Sequence, residues 1–145
     1  MQITKLETST VYPETPTEPG TILPCSICDN FARPIHVRTI YLFKENVPGA
    51  HDDVSDKLKA ALQKLLVVFY PMGGRVRRAE GKTGYEIDCN DKGVVWVDAE
   101  VDGAMDDIES FQPNWIFDKL LVPRADYSMS IEDIPVQFIQ VDGPT

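Results

Sequence analysis

The sequence predicts a mixed α/β (α+β) fold, a mixed sheet with one main helix packed on it. Three observations predict it. Residues 52–75 (DDVSDKLKAALQKLLVVFYPMGGR) carry Val54, Leu58, Ala61, Leu62, Leu65, Leu66 and Phe69 at spacings of three and four, an apolar stripe on a helix of period 3.6. Residues 35–43 (IHVRTIYLF) form a β-branched and aromatic run that is apolar on both faces, as in a strand covered from two sides. Beyond Gly74, short strand-like runs are separated by glycine-containing turns. Such a pattern builds a sheet with helices segregated to a face.

The elements follow in order. Residues 2–8 (QITKLET) read as a short first strand. Residues 11–24 contain Pro13, Pro16, Pro19, Gly20 and Pro24 and read as an extended loop. Ser26-Ile27-Cys28-Asp29 has the form of a capping box, which predicts one helical turn ending before Pro34. In 35–43, Ile35, Val37, Thr39, Tyr41 and Phe43 share one face and His36, Arg38, Ile40 and Leu42 the other, predicting a central strand. A loop with Pro48 and Gly49 leads into the main helix, which Pro71 stops at about Tyr70; Gly73 and Gly74 then allow a turn. Burying the seven apolar residues of the stripe contributes on the order of 10–20 kcal/mol before entropy is subtracted. Residues 75–80 and 85–89 read as a hairpin turning through 81–84. Residues 94–101 (VVWVDAEV) make another strand. The acidic stretch 102–111 predicts a short helix or turn, 115–121 an apolar cluster closed by Pro123, and 134–141 (IPVQFIQV) a last strand.

Composition narrows the function. A chain of 145 residues with 43% hydrophobic content suits one domain with a real core. Its longest apolar run, 65–71, is far too short to cross a bilayer, and the opening MQITKLETS has neither a basic nor an apolar signal region. A net charge of −9 argues against nucleic-acid binding, which needs a surplus of lysine and arginine. Three cysteines are too few for a disulfide scaffold and predict a reducing, cytoplasmic setting.

Each chemical candidate has an ordinary alternative. Cys25-Ser26-Ile27-Cys28 is a C-x-x-C, but a proline-rich loop precedes it, and a zinc site would need further ligands from Cys89, His36 and His51. Small residues in a buried turn are the plainer reading, and no metal is expected. His36, with Arg38, Thr39 and Tyr41 nearby, is a candidate for lining a pocket, against a structural strand histidine. His51 beside Asp52 and Asp53 reads as a solvated helix start. The acidic residues Asp88, Asp91, Asp98, Glu100, Asp102, Asp106, Asp107 and Glu109 do not follow the calcium-loop spacing. Arg75, Arg77 and Arg78 could attract a phosphate, but a polar hairpin face explains them as well. Read residue by residue, the chain holds no complete catalytic set.

Several segments together resemble the N-terminal part of the plant BAHD acyltransferases, closest to the hydroxycinnamoyl-CoA shikimate/quinate hydroxycinnamoyltransferases. The opening ITKLETSTVYP is similar to their first strand and loop, Ser26-Ile27-Cys28-Asp29 to S-x-x-D, and residues 36–43 to a strand ending in Y-F-[FY]. The most specific likeness joins Leu58-Lys59-Ala60-Ala61-Leu62 to Phe69-Tyr70-Pro71-Met72-Gly73-Gly74-Arg75, matching L-K-x-A-L…F-Y-P-M-[AG]-G-R. Residues 85–90, Gly93-Val94 and Asp98-Ala99-Glu100 match I-x-C-N…G-V…A-E, and Val122-Pro123 and Asp126-Tyr127-Ser128 match the segment before the next strand.

The resemblance implies half of a chloramphenicol-acetyltransferase-like fold, with residues 1–145 as an N-terminal domain that ends before the family's catalytic histidine motif. It implies acyl transfer from a CoA thioester to a hydroxyl or amine acceptor, with acyl-CoA as co-substrate and no bound cofactor. In the family a histidine in H-H-x-x-x-D-G deprotonates the acceptor. The 145 residues contain neither that motif nor D-F-G-W-G; Asp142-Gly143 has no histidine pair before it. The expectation is therefore no catalytic residue in this chain and no turnover by it alone. His36, Thr39 and Tyr41 match positions that line the acceptor pocket. The alternative expectation is a non-catalytic binding or oligomerising module.

Overall fold

A computed structural model describes residues 2–32, 35–43, 51–81, 83–102 and 122–144. Its axis is the run VVWVDAEVD, which forms β5 (Val94–Asp102), the middle strand of a three-stranded sheet. β1 (Gln2–Val11) pairs with it antiparallel, from Val11 opposite Val94 to Gln2 opposite Asp102, with a bulge between Ile3 and Lys5. β6 (Phe138–Pro144) lies parallel on its other edge, Ile139 beside Trp96. A second sheet has the order β2-β4-β3, built from β2 (Ile22–Pro24), β3 (Arg75–Arg78) and β4 (Tyr85–Asp88), all antiparallel neighbours. The expected hairpin is the β3–β4 pair, where Arg77 faces Glu86 at 2.8 Å and Arg78 lies over the Tyr85 ring.

The helices follow their sequence signals. α1 (Ile27–Phe31) has the predicted capping box: the Asp29 N–H donates to Ser26 Oγ and the Ser26 N–H to Asp29 Oδ2. α2 (His51–Val68) packs on the larger sheet, and a 3-10 turn (Tyr70–Gly73) with proline at its start ends it. No described helix is long and apolar enough to cross a membrane.

Four expectations need correction. Residues 35–43 form no strand; they run as irregular chain, with Ile35, Val37, Tyr41 and Phe43 exposed. Alternation reports which faces could be covered, but a strand also needs a neighbouring ladder, and no strand of either sheet pairs with this segment. The central strand is β5. Second, the proline-rich loop starts only after Val11 and contains β2, whose Pro24 is tolerated because β2 is an edge strand. Third, the last strand begins at Phe138, after a turn in which the Ile134 N–H donates to Ile131 O. The loop at Pro48 and Gly49, the acidic stretch from 103 and the cluster 115–121 lie outside the described residues.

The fourth correction concerns the helix face. Of the seven stripe residues only Leu62 and Leu66 are buried, in a cluster with Val11, Val94 and Trp96 against which Ile139 and Val141 pack. Val54, Leu58, Leu65 and Phe69 are exposed, Leu65 to 50%. The helix instead turns Ser55 and Lys59 toward the sheet, where Asp98 stands. Asp98 Oδ1 accepts from the Ser55 hydroxyl and, at 2.9 Å, from Trp96 Nε1; Oδ2 meets Lys59 Nζ at 2.5 Å. Lys59 also lies 5.7 Å from the Trp96 ring centre. Burial pushes the Asp98 carboxyl up, but Lys59, Ser55 and Trp96 outweigh it and hold the group below its ordinary value.

Two stability predictions follow from this packing. Leu66→Ala should lower stability in urea unfolding by about 2–5 kcal/mol, whereas Leu65→Ala should change it by under about 1 kcal/mol. Asp98→Asn should cost about 1–3 kcal/mol at pH 7 by leaving Lys59 unpaired. Because the folded-state value is depressed, that stabilisation is present above the unfolded carboxylate range and lost as pH falls through the folded value. The gap between Asp98→Asn and the parent should therefore close below about pH 4.

Candidate functional site

The segment F-Y-P-M-G-G-R builds the frame for the site. Gly74 is required by space: a Cβ there would overlap the Asp88 carbonyl oxygen. Gly93, at φ +84°, sits against Thr10 and the Val11 carbonyl, and its N–H donates to Gly73 O at 2.8 Å. Arg75 is 7% exposed, and its Nη1 donates to Gly74 O at 2.7 Å and Gly93 O at 2.9 Å, with Nη2 3.4 Å from Lys92 O. Burial lowers its pKa, opposed by Asp133 and Tyr12. The clamp ties the end of α2 and the start of β3 to the start of β5. The backbone of Arg75 also forms an isolated antiparallel bridge with Pro135.

Pro135 carries the frame to His36. The half-buried His36 places Nε2 2.8 Å from Pro135 O and Nδ1 2.8 Å from the Tyr127 hydroxyl, to which its backbone N–H also donates at 2.9 Å. The Phe138 ring meets the imidazole edge-on at 5.1 Å. Tyr127 is presented by an Asx turn in which Asp126 Oδ1 accepts from Ser128 N–H and Oγ; the Ser128 hydroxyl and amide hold the Asp126 carboxyl below its usual range.

Of the three sequence candidates, the structure gathers these partners around His36. The side chains of Thr39 and Tyr41 stand exposed farther along the same segment. Sequence reasoning missed Tyr127, Pro135 and Phe138 as partners of His36. The D-Y-S turn was the one local signal available for Tyr127; nothing local pairs it with a residue 91 positions away.

The C-x-x-C does follow a strand, β2, and open a helix, α1, yet its thiols are free and burial, Asp29 and Glu86 push Cys25 up, against the depressed thiol of a redox site. Cys89 is buried and also raised, first by desolvation. Among the described residues no group of three histidine, cysteine or acidic side chains could hold a metal ion. Arg75, Arg77 and Arg78 are engaged by backbone carbonyls, Glu86 and the Tyr85 ring. A cleft lined by Thr17, Asp88, Asn90 and Asp91 carries acidic groups, which disfavours an anionic ligand. His51 opens α2, and its side chain lies outside the described residues.

Comparison with known proteins agrees with the fold and the motifs. The sequence matches the transferase family over residues 1–142. It is 38% identical over 138 residues to a hydroxycinnamoyltransferase of Narcissus pseudonarcissus, covering 93% of this chain and 30% of that protein. It is 38% identical over 107 residues to a shikimate O-hydroxycinnamoyltransferase of Nicotiana tabacum, covering 73% and 24%. The chain thus spans about a quarter to a third of the length of these relatives. The crystal structure of vinorine synthase superposes with a TM-score of 0.66 at 21% identity, covering 97% of this chain and 35% of that one. The arrangement is that of part of a chloramphenicol-acetyltransferase-like fold, and the chain belongs to the BAHD acyltransferase family.

Proposed function

We propose that residues 1–145 form the N-terminal, acceptor-side part of a hydroxycinnamoyltransferase-like enzyme that moves an acyl group from CoA to a small hydroxyl or amine acceptor. The observation that carries this reading is the 38% identity to a hydroxycinnamoyltransferase across 93% of the chain. In that reaction a general base takes the acceptor proton and the acceptor oxygen or nitrogen attacks the thioester carbonyl. The C–S bond then breaks and the sulfur leaves as the CoA thiol. Residues 35–43 would supply one wall of the acceptor pocket, Thr39 and Tyr41 through their hydroxyls and His36 through its ring.

The 145-residue chain does not perform the reaction by itself in this reading. Its two histidines are His36 and His51, neither in an H-H-x-x-x-D-G sequence. Both ring nitrogens of His36 are already hydrogen-bonded, so neither is open to take the acceptor's proton. Acyl-CoA and the acceptor are then shared with groups outside these residues. The free cysteines suit a reducing compartment and support a cytoplasmic location.

A second reading, a binding or self-associating module without catalysis, is favoured by one observation. Val54, Leu58, Leu65 and Phe69 of the α2 region and Val37, Tyr41 and Phe43 expose apolar surface. Gel filtration separates the readings: concentration-dependent dimers favour the module.

The function itself is tested with p-coumaroyl-CoA and shikimate. No CoA thiol should appear with or without shikimate; acceptor-dependent release would overturn the inactivity. Shikimate at millimolar concentration should shift the amide resonances of Thr39 and Tyr41 more than those of β5. Saturating shikimate or quinate without such shifts would remove the acceptor-wall assignment.

A further inference from the structure

We propose that Tyr127 is a positioning residue for the acceptor wall. Its phenol holds the His36 ring, as the Nε2–H tautomer when neutral, and thereby fixes the segment that presents Thr39 and Tyr41. This rests on the reading of residues 35–43 as an acceptor wall.

The proton assignment follows from counting donors and acceptors. The Pro135 carbonyl oxygen, 2.8 Å from Nε2, can only accept, so Nε2 carries a hydrogen. The backbone N–H of His36 can only donate, and it points at the Tyr127 oxygen from 2.9 Å. The phenol has one hydrogen, and with a lone pair so used it directs that hydrogen to Nδ1 at 2.8 Å. Of the two neutral tautomers, only Nε2–H satisfies all three contacts. The other would set the Nε2 lone pair against a carbonyl lone pair and leave the Pro135 contact without a hydrogen.

The tether has the right place to matter. Among the described residues, 35–43 have no strand partner, and Val37 is 86% exposed, so little burial of side chains such as Val37 holds this stretch. His36 is fixed from three sides, by Tyr127, by Pro135 and by the Phe138 ring. Pro135 is bridged to Arg75, whose guanidinium clamps Gly74 and Gly93. The wall therefore rests on the frame built by the helix end, and Tyr127 is the link that a single atom can remove. Tyr127 is 54% exposed, so Tyr127→Phe deletes a hydroxyl without emptying a core site.

Nitrogen-15 NMR of the imidazoles at pH 8.5 reads the tautomer directly, with His51→Gln assigning the two rings. His36 should show a protonated Nε2 and an unprotonated Nδ1. In Tyr127→Phe, Pro135 still requires Nε2–H, so the Nε2 resonance should keep its position while Nδ1, without its donor, shifts, and exchange of the His36 amide should speed by at least tenfold while β5 amides keep their protection. The shikimate-induced shifts at Thr39 and Tyr41 should need about tenfold more acceptor. A protonated Nδ1 in the parent, or a Tyr127→Phe spectrum unchanged at His36, would overturn the proposal. The tautomer and exchange readouts use neither acyl-CoA nor acceptor. The predicted tautomer without any shikimate response would keep the tether and reject the acceptor wall.

Discussion

A carboxylate under a helix sets the rotation of the whole helix–sheet layer. Asp98 sits on β5 on the side that α2 covers, and a half-buried carboxylate is tolerated only where donors meet it. Ser55, Lys59 and the Trp96 indole meet it together. With these polar contacts made, Leu62 and Leu66 fall onto Val11, Val94 and Trp96, and the remaining apolar residues of the helix turn outward. A rotation that buried the full apolar stripe would pull Ser55 and Lys59 away and strand the carboxylate. One unpaired buried charge outweighs the gain from one or two more leucines at the sheet.

The second constraint is the Arg75 clamp, which joins the sheets. Its guanidinium lies among carbonyls of Gly74, Lys92 and Gly93, the last two in the turn that opens β5. Carbonyl oxygens carry only partial charge, so the buried cation is solvated by backbone rather than paired, and burial lowers its pKa accordingly. The glycines beside it are explained by crowding. Gly74 touches the Asp88 backbone of β4 and Gly93 touches β1, so a side chain at Gly74 would press into β4 and one at Gly93 into β1.

What was legible in the sequence was local. The S-I-C-D cap, the Pro71 stop, the β3–β4 hairpin and the VVWVDAEV strand all arise within a few residues of the signals that predict them. The family likeness was legible in the same way, through contiguous motifs. The misses were long-range. Periodicity found the apolar residues of α2 but held no sign that Ser55 and Lys59 face the sheet, because their partner Asp98 lies on another element. The β-branched and aromatic run 35–43 is apolar on both faces, yet strand formation depends on an edge that local pattern does not supply. Of the candidate site, His36 was visible as a candidate for lining a pocket, while Tyr127 and Pro135, 91 and 99 residues away, were not.

These long-range contacts bear on how such a chain could do chemistry. A wall for a small polar acceptor must present hydroxyls at fixed positions, since a displacement of about 1 Å can lower a rate about a hundredfold. A strand would supply that rigidity through its ladder. Among the described residues 35–43 lack one, and the side-chain tethers of His36 supply part of that rigidity. The imidazole suits this task because it bonds in two directions from one planar group, reaching a carbonyl on one side and a phenol on the other. The same saturation removes it as a proton acceptor. In the proposed acceptor-wall reading, a histidine with both nitrogens committed to the scaffold would organise the site while another group performs the proton transfer.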